Sequence, residues 1–171
     1  MTRVLVAYGS KHGATAEIAM AIGHELAQHG IAVDCLSADA VGRLSDYDAV
    51  VLGSAVYMKH WQRAARRLLR QQRAALAEKP LWLFSSGPVG DAPPDPEWCE
   101  PKDVVREAEH LRARDHVIFG GRVQASSDNL MERAMAKDIP PEHRDKRDWE
   151  AIRSWAAAIA SELEPAQVPA G

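Results

Sequence analysis

Cysteine is scarce. The 171 residues contain two, Cys35 in a predicted strand and Cys99 in a predicted loop, with no histidine or cysteine partners at ligand spacing. That excludes a disulfide-stapled scaffold and a zinc signature. Long apolar runs are missing as well: nothing approaches the roughly 18 consecutive apolar residues of a membrane span. Met1-Thr2-Arg3 passes directly into a short apolar run and a polar turn, unlike a secretory leader, so a cytoplasmic location is expected. Nor is there an excess of one charge. The 21 basic and 24 acidic residues leave a net charge of -3, which does not suit a nucleic-acid-binding surface. What remains is ordinary for a globular domain, with 46% hydrophobic and 26% charged residues. A chain of this length supports one core that removes roughly 70% of its extended surface from water. There is no internal repeat.

Four short apolar runs punctuate the chain: Val4-Leu5-Val6-Ala7-Tyr8, Ala49-Val50-Val51-Leu52-Gly53, Leu81-Trp82-Leu83-Phe84 and Val117-Ile118-Phe119-Gly120. None alternates polar with apolar, the pattern of parallel strands covered on both faces. A fifth run, Ile31 to Leu36, alternates partially and suits an edge strand. Between them, Ile18, Ile22 and Leu26 recur at helical spacing, with Gly30 as a stop. From Trp61 to Glu78 a helix is expected, with Trp61, Ala65, Leu68, Leu69 and Leu76 on one side. Arg63, Arg66, Arg67, Arg70 and Arg73 gather on the other, a face that reads as solvated. A short helix covers Lys102 to Leu111. The last begins after Asp148 as N-cap and aligns Ile152, Trp155, Ala156, Ile159 and Leu163. Strands alternating with helices, joined by right-handed crossovers, give an α/β fold with a parallel sheet and helices on both faces. Ligands of such sheets bind at the carboxyl ends of the strands, where strand order reverses.

After the first strand comes Gly9-Ser10-Lys11-His12-Gly13-Ala14-Thr15. Small residues let backbone amides converge, Ser10 and Thr15 offer hydroxyls, and a helix start follows, which together suit a phosphate. His12 adds a donor and Lys11 a charge. The alternative is an ordinary capping turn. The spacings G-x-x-x-x-G-K-S/T and G-x-G-x-x-G are both absent, which disfavours a nucleoside triphosphatase and a Rossmann dinucleotide site. A cysteine phosphatase lacks its nucleophile here.

The loop resembles the T/S-x-T/H-G-x-T phosphate loop of the flavodoxin-like family, with Ser10, His12, Gly13 and Thr15 at the matching places and Lys11 and Ala14 at the variable ones. Two later segments, Gly53-Ser54-Ala55-Val56-Tyr57 and Asp148-Trp149-Glu150-Ala151-Ile152-Arg153-Ser154-Trp155-Ala156, are similar to the flavodoxin-domain branch that includes menaquinone-dependent protoporphyrinogen dehydrogenase. The resemblance covers nearly the whole chain. It implies a three-layer sandwich with a five-stranded parallel sheet of order 2-1-3-4-5, an FMN-binding domain over residues 1-164, and a flexible tail over 165-171.

It further implies that FMN is held by three segments: Ser10, Lys11, His12, Gly13, Ala14 and Thr15; Ser54, Ala55, Val56, Tyr57 and Met58; and Ser85, Ser86, Gly87, Pro88, Val89, Gly90 and Asp91. Trp61 reads equally as core or as flavin contact, and Trp98 as self-packing of a proline-rich loop. No catalytic side chain and no metal are expected; the cofactor supplies the redox chemistry. Segment 121-147 is shorter and more hydrophilic than the quinone-side insertion of the dehydrogenase, with one short amphipathic helix expected from Asn129 to Ala136 through Leu130, Met131, Ala134 and Met135.

Two functions follow from the resemblance. One is an FMN-dependent oxidoreductase that oxidises protoporphyrinogen or a similar reduced substrate with a quinone acceptor; the other is a small electron carrier serving a protein partner. The implied partners are a quinone or a redox protein, with contact at the inner membrane face and a monomer or weak homodimer included. A cofactor-free scaffold or sensor, and a quinone reductase using NAD(P)H, stand lower.

Overall fold

The computed structural model describes residues 1-10, 13-87, 100-124, 126 and 130-164. The tail 165-171 lies outside them. Strands β1 (Arg3–Gly9), β2 (Ala32–Ser37), β3 (Ala49–Tyr57), β5 (Leu81–Ser86) and β6 (Asp115–Phe119) form a parallel sheet in the order β2-β1-β3-β5-β6. With the two-residue β4 (His60–Trp61) set aside, this is the 2-1-3-4-5 order expected from the sequence. Order reverses between β1 and β3, so the carboxyl ends of β1, β3 and β5 lie side by side.

Each strand feeds two cores because successive side chains point to opposite faces. On one face Val4, Val6, Val51, Trp82 and Phe84 pack against α1 (Ala14–Gln28) and α6 (Trp149–Leu163), through Ile18, Ile22 and Leu26 on the first and Ile152, Ala156 and Ile159 on the second. Phe84, Phe119 and Trp155 form an aromatic cluster there, with ring centroids 5.6–6.2 Å apart. On the other face Leu5, Val50, Leu52, Leu81 and Leu83 meet α2 (Arg63–Gln71), α3 (Arg73–Ala77) and α4 (Lys102–His110). The result is a three-layer sandwich. Asp148 caps α6 by accepting from the Ala151 amide at 3.0 Å, as its sequence position predicts.

Three local readings are corrected. The helix expected over Trp61 to Glu78 begins only at Arg63 and is interrupted at Gln72, whose φ of -102° and ψ of 18° leave helical geometry while its side-chain amide reaches Gly42 O at 3.3 Å. Trp61 belongs instead to β4, which turns back on β3 through Met58 and Lys59 at φ 48° and 67°. Two consecutive non-glycine residues at positive φ make a strained hairpin that carries no glycine or asparagine signal. The helix after β6, α5 (Leu130–Asp138), turns its polar side inward: Glu132 and Ala136 are buried, whereas Leu130 is 75% and Met135 44% exposed. Ala134 is exposed too. The carboxylate of Glu132 accepts from the Gln124 amide at 3.0 Å, which is what draws it in.

Among the described residues no helix is long and apolar enough to cross a membrane.

Candidate functional site

α1 starts at Gly13, whose φ of 86° and ψ of -14° place it in the left-handed region that favours glycine. Its N–H donates to Ser10 Oγ at 3.0 Å, which leaves the serine hydroxyl free to donate in turn. The first intrahelical bond runs from the Glu17 amide to Gly13 O. The amides of Ala14, Thr15 and Ala16 therefore have no helical acceptor, and among the described residues no side chain caps them. This is the positive end of a 15-residue helix. Thr15 beside it is buried. Lys11 and His12 lie outside the described residues.

A cleft open to solvent runs from this helix start across the ends of β3 and β5. Ser10, Ala14 and Thr15 form one end. Ala55, Val56, Tyr57, Ser86 and Gly87 form the floor. The structure thus brings together residues from all three segments singled out in the sequence. Gly87 sits in close quarters: a Cβ there would stand 3.3 Å from Val56 O, and a Cβ on Gly121 would meet the Gly87 backbone at 3.0–3.2 Å. Pro88, Val89, Gly90, Asp91 and Trp98 lie outside the described residues.

Ser54, Met58 and Ser85 do not line the cleft. Ser54 is fully buried, accepting from the Gln62 amide and donating to Ala55 O, both at 2.8 Å; it ties the return of the chain to β3. Ser85 is also fully buried. It accepts from Trp61 Nε1 at 2.8 Å and lies 2.9 Å from His116 Nε2, to which its hydroxyl donates when the imidazole carries its proton on Nδ1. Trp61 is 2% exposed and meets the His116 ring edge-on at 6.2 Å, so it belongs to the core rather than to the cleft wall. Burial holds the His116 pKa below its usual value. Met58 sits at the hairpin tip, 65% exposed. The strand alternation carried this information: Ser54 shares the face of Leu52, and Ser85 that of Leu83, whereas Ala55 and Ser86 point to the α1 side.

The far wall was not foreseen. Gln62, Gly121, Arg122, Val123, Glu132 and Met135 also line the cleft. Residues 121-123 are fixed by a returning segment: the Val123 amide donates to Arg144 O at 2.9 Å, that of Lys146 to Gly121 O at 2.9 Å, and Arg122 bridges Asp145. Arg147 is saturated by the Asp145 carboxylate, at 2.9 and 2.7 Å, and by Glu17. The Arg147 pair holds the Asp145 carboxyl below the usual range.

The arginine face of α2 and α3 is only partly solvated, since Arg66 on α2 lies 4.0 Å from Asp103 and Arg73 on α3 lies 3.1 Å from Glu107, both carboxylates on α4. Burial pushes the Cys35 thiol up to about 11, which leaves it a poor nucleophile near neutrality. No metal cluster of histidine, cysteine or carboxylates occurs among the described residues.

The cleft has two chemically different ends, uncapped amides with hydroxyls at one and a floor of small and apolar residues with Tyr57 at the other. That fits a ligand with an anionic terminus and a flat apolar body, as FMN is.

Solved structures share this architecture. Oxidised flavodoxin 1 from Bacillus cereus is 14% identical with a TM-score of 0.66, covering 95% of this chain and 100% of that one. Flavodoxin 2 from the same organism is 18% identical with a TM-score of 0.63 over 95% and 100%. Rubredoxin oxygen:oxidoreductase from Desulfovibrio gigas is 14% identical with a TM-score of 0.63, over 95% of this chain but 36% of its own length, so the present chain spans about a third of that protein. At these identities the likeness is one of fold. No curated protein matches the sequence. A profile of the flavodoxin domain family matches residues 5–150. The chain belongs to the flavodoxin-domain family.

Proposed function

We propose that this protein is an FMN-binding electron carrier that serves a protein redox partner. The observation that carries the reading is the cleft at the reversal of strand order, where a helix start without a side-chain cap among the described residues, with Ser10 and Thr15 beside it, adjoins the floor made by Val56, Tyr57 and Gly87. The amides of Ala14, Thr15 and Ala16 and the hydroxyls of Ser10 and Thr15 would hold the phosphate. Val56, Tyr57 and Gly87 would hold the ring system. When bound, FMN supplies reversible uptake and release of electrons. The backbone around Ala55 and Ser86 would stabilise charge at the ring edge, and the open side of the cleft gives a partner access.

A carrier requires no acid–base machinery, because the bound cofactor supplies the redox chemistry. The finer alternative, oxidation of protoporphyrinogen onto a quinone, rests on the branch likeness of two sequence segments; nothing in the cleft adds to it. A cytoplasmic setting and a monomeric state accompany the carrier reading.

The two roles separate in one anaerobic experiment. The FMN-loaded protein is photoreduced and mixed with cytochrome c as a protein acceptor; in parallel, the oxidised protein is given protoporphyrinogen with menaquinone. The carrier reading expects rapid reduction of cytochrome c and no porphyrin formation above that of free FMN. Catalysed porphyrin formation would overturn it in favour of the enzyme.

A further inference from the structure

We infer that Arg122 is a cationic contact to the terminal phosphate of the bound cofactor, held on the cleft wall by an ion-pair cluster outside the phosphate loop. The inference rests on the FMN reading above. Arg122 lines the same cleft as Ser10, Ala14 and Thr15. Its guanidinium stands 3.5 Å from the Glu17 carboxylate, which belongs to the first turn of α1, so the positive charge is placed beside the start of that helix.

The bonding around it is incomplete. Arg147 takes both Asp145 oxygens and the same Glu17 oxygen that Arg122 approaches, and its side chain is 5% exposed. Among the described residues Arg122 forms one ion pair, the longer Glu17 contact, with the Asp145 carboxylate near enough to feel its charge, and its Nε is buried without a hydrogen-bond acceptor. A planar fork of five donors with no short carboxylate contact among the described residues can take a second anion, and a phosphate matches its bidentate geometry. A buried donor left without an acceptor is costly, so the arrangement gains from a ligand that supplies one.

The position is also preorganised. Arg122 bridges Asp145 through the backbone, and Glu17 is pinned by Arg147. The side chain therefore loses little freedom when the ligand arrives. The cluster of Arg122, Arg147, Glu17 and Asp145 sums to zero charge. Arg122 thus acts through directed hydrogen bonds rather than through a net field.

The test measures dissociation constants for FMN and riboflavin, which differ only by the phosphate, in the full chain and in Arg122→Gln, Arg122→Lys and the exposed control Arg133→Gln. Losing a charge-assisted contact predicts that Arg122→Gln weakens FMN by about 10- to 100-fold. Riboflavin should change by less than about 3-fold, a margin small beside one such contact. The lysine variant should fall between, because it keeps the charge and loses the fork, and the control should match the wild type. Should Arg122→Gln not fold, the FMN-to-riboflavin ratio of Arg122→Lys decides. An equal loss for both ligands, or no loss for either, would overturn the phosphate contact while leaving the FMN reading in place. A wild-type protein that binds neither flavin would overturn that reading and this inference with it.

Discussion

Replacing Ser85 by alanine separates a cofactor contact from a structural hydroxyl. The sequence places Ser85 in a segment expected to contact flavin, yet its hydroxyl is fully buried between Trp61 Nε1 at 2.8 Å and His116 Nε2 at 2.9 Å. Ser85→Ala leaves the indole N–H of a 2%-exposed tryptophan without an acceptor. That costs about 1–3 kcal/mol, and the lost bond to His116 about 1 more, for a total of about 2–4 kcal/mol. In a domain of this size each kcal/mol lowers the melting temperature by about 2–4 °C, so a fall of about 5–15 °C is expected. FMN affinity should stay within about 3-fold, less than one hydrogen bond to a charged group would cost. Thermal or urea unfolding of the apoprotein and an FMN titration measure the two quantities separately. An unchanged melting temperature combined with a ten-fold or greater loss of FMN affinity would refute the structural assignment and return Ser85 to the cofactor.

The same contact predicts a pH dependence. The folded state holds the His116 pKa below its ordinary 6.5, chiefly through burial, so the unfolded chain binds the proton more readily. The stability contribution is complete above about 6.5 and is lost as pH falls through the lower folded value; His116→Gln should remove this part of the slope in unfolding free energy between pH 7 and 5. Gly53→Ala should destabilise by about 1–3 kcal/mol in urea unfolding, because overpacking has no room to relax. A Cβ at Gly53 would stand 2.2–2.3 Å from the fully buried Phe84 ring, which is itself wedged against Phe119 and Trp155. A change under about 0.5 kcal/mol, the level of an ordinary surface substitution, would show that the ring moves aside freely. Asp148→Ala removes the cap of α6 and should cost about 1 kcal/mol, most of it recovered in Asp148→Asn; equal stability of the alanine variant would assign the helix start to other contacts.

The layers of this fold were legible because buried parallel strands announce themselves. Val4 to Ala7, Ala49 to Leu52 and Leu81 to Phe84 carry apolar residues at both parities, which only a sheet covered on two faces accommodates. Asp148 as a cap and Gly13 at the start of α1 were local signals and were readable as such. The parts that were missed depend on partners distant in sequence. The hairpin at Met58 and Lys59 adopts positive φ without glycine, so no turn residue marks it. Glu132 turns inward because the Gln124 amide meets it there, against the apolar pattern of its own helix. Arg122 joins the cleft because residues 144-146 return alongside 121-123, a pairing with no periodic signature. Ser54 and Ser85 are a different case. Strand parity puts their side chains on the faces of Leu52 and Leu83, while the expectation for them rested on backbone contact and small size.

The central claim is that the cleft beside Ser10, Thr15 and Val56 holds FMN, and the protein as purified tests it. Its visible absorption should show an oxidised flavin, and the cofactor released on denaturation should have the mass of FMN. Apoprotein should take up FMN stoichiometrically. A colourless protein that neither quenches nor binds added FMN would contradict the account.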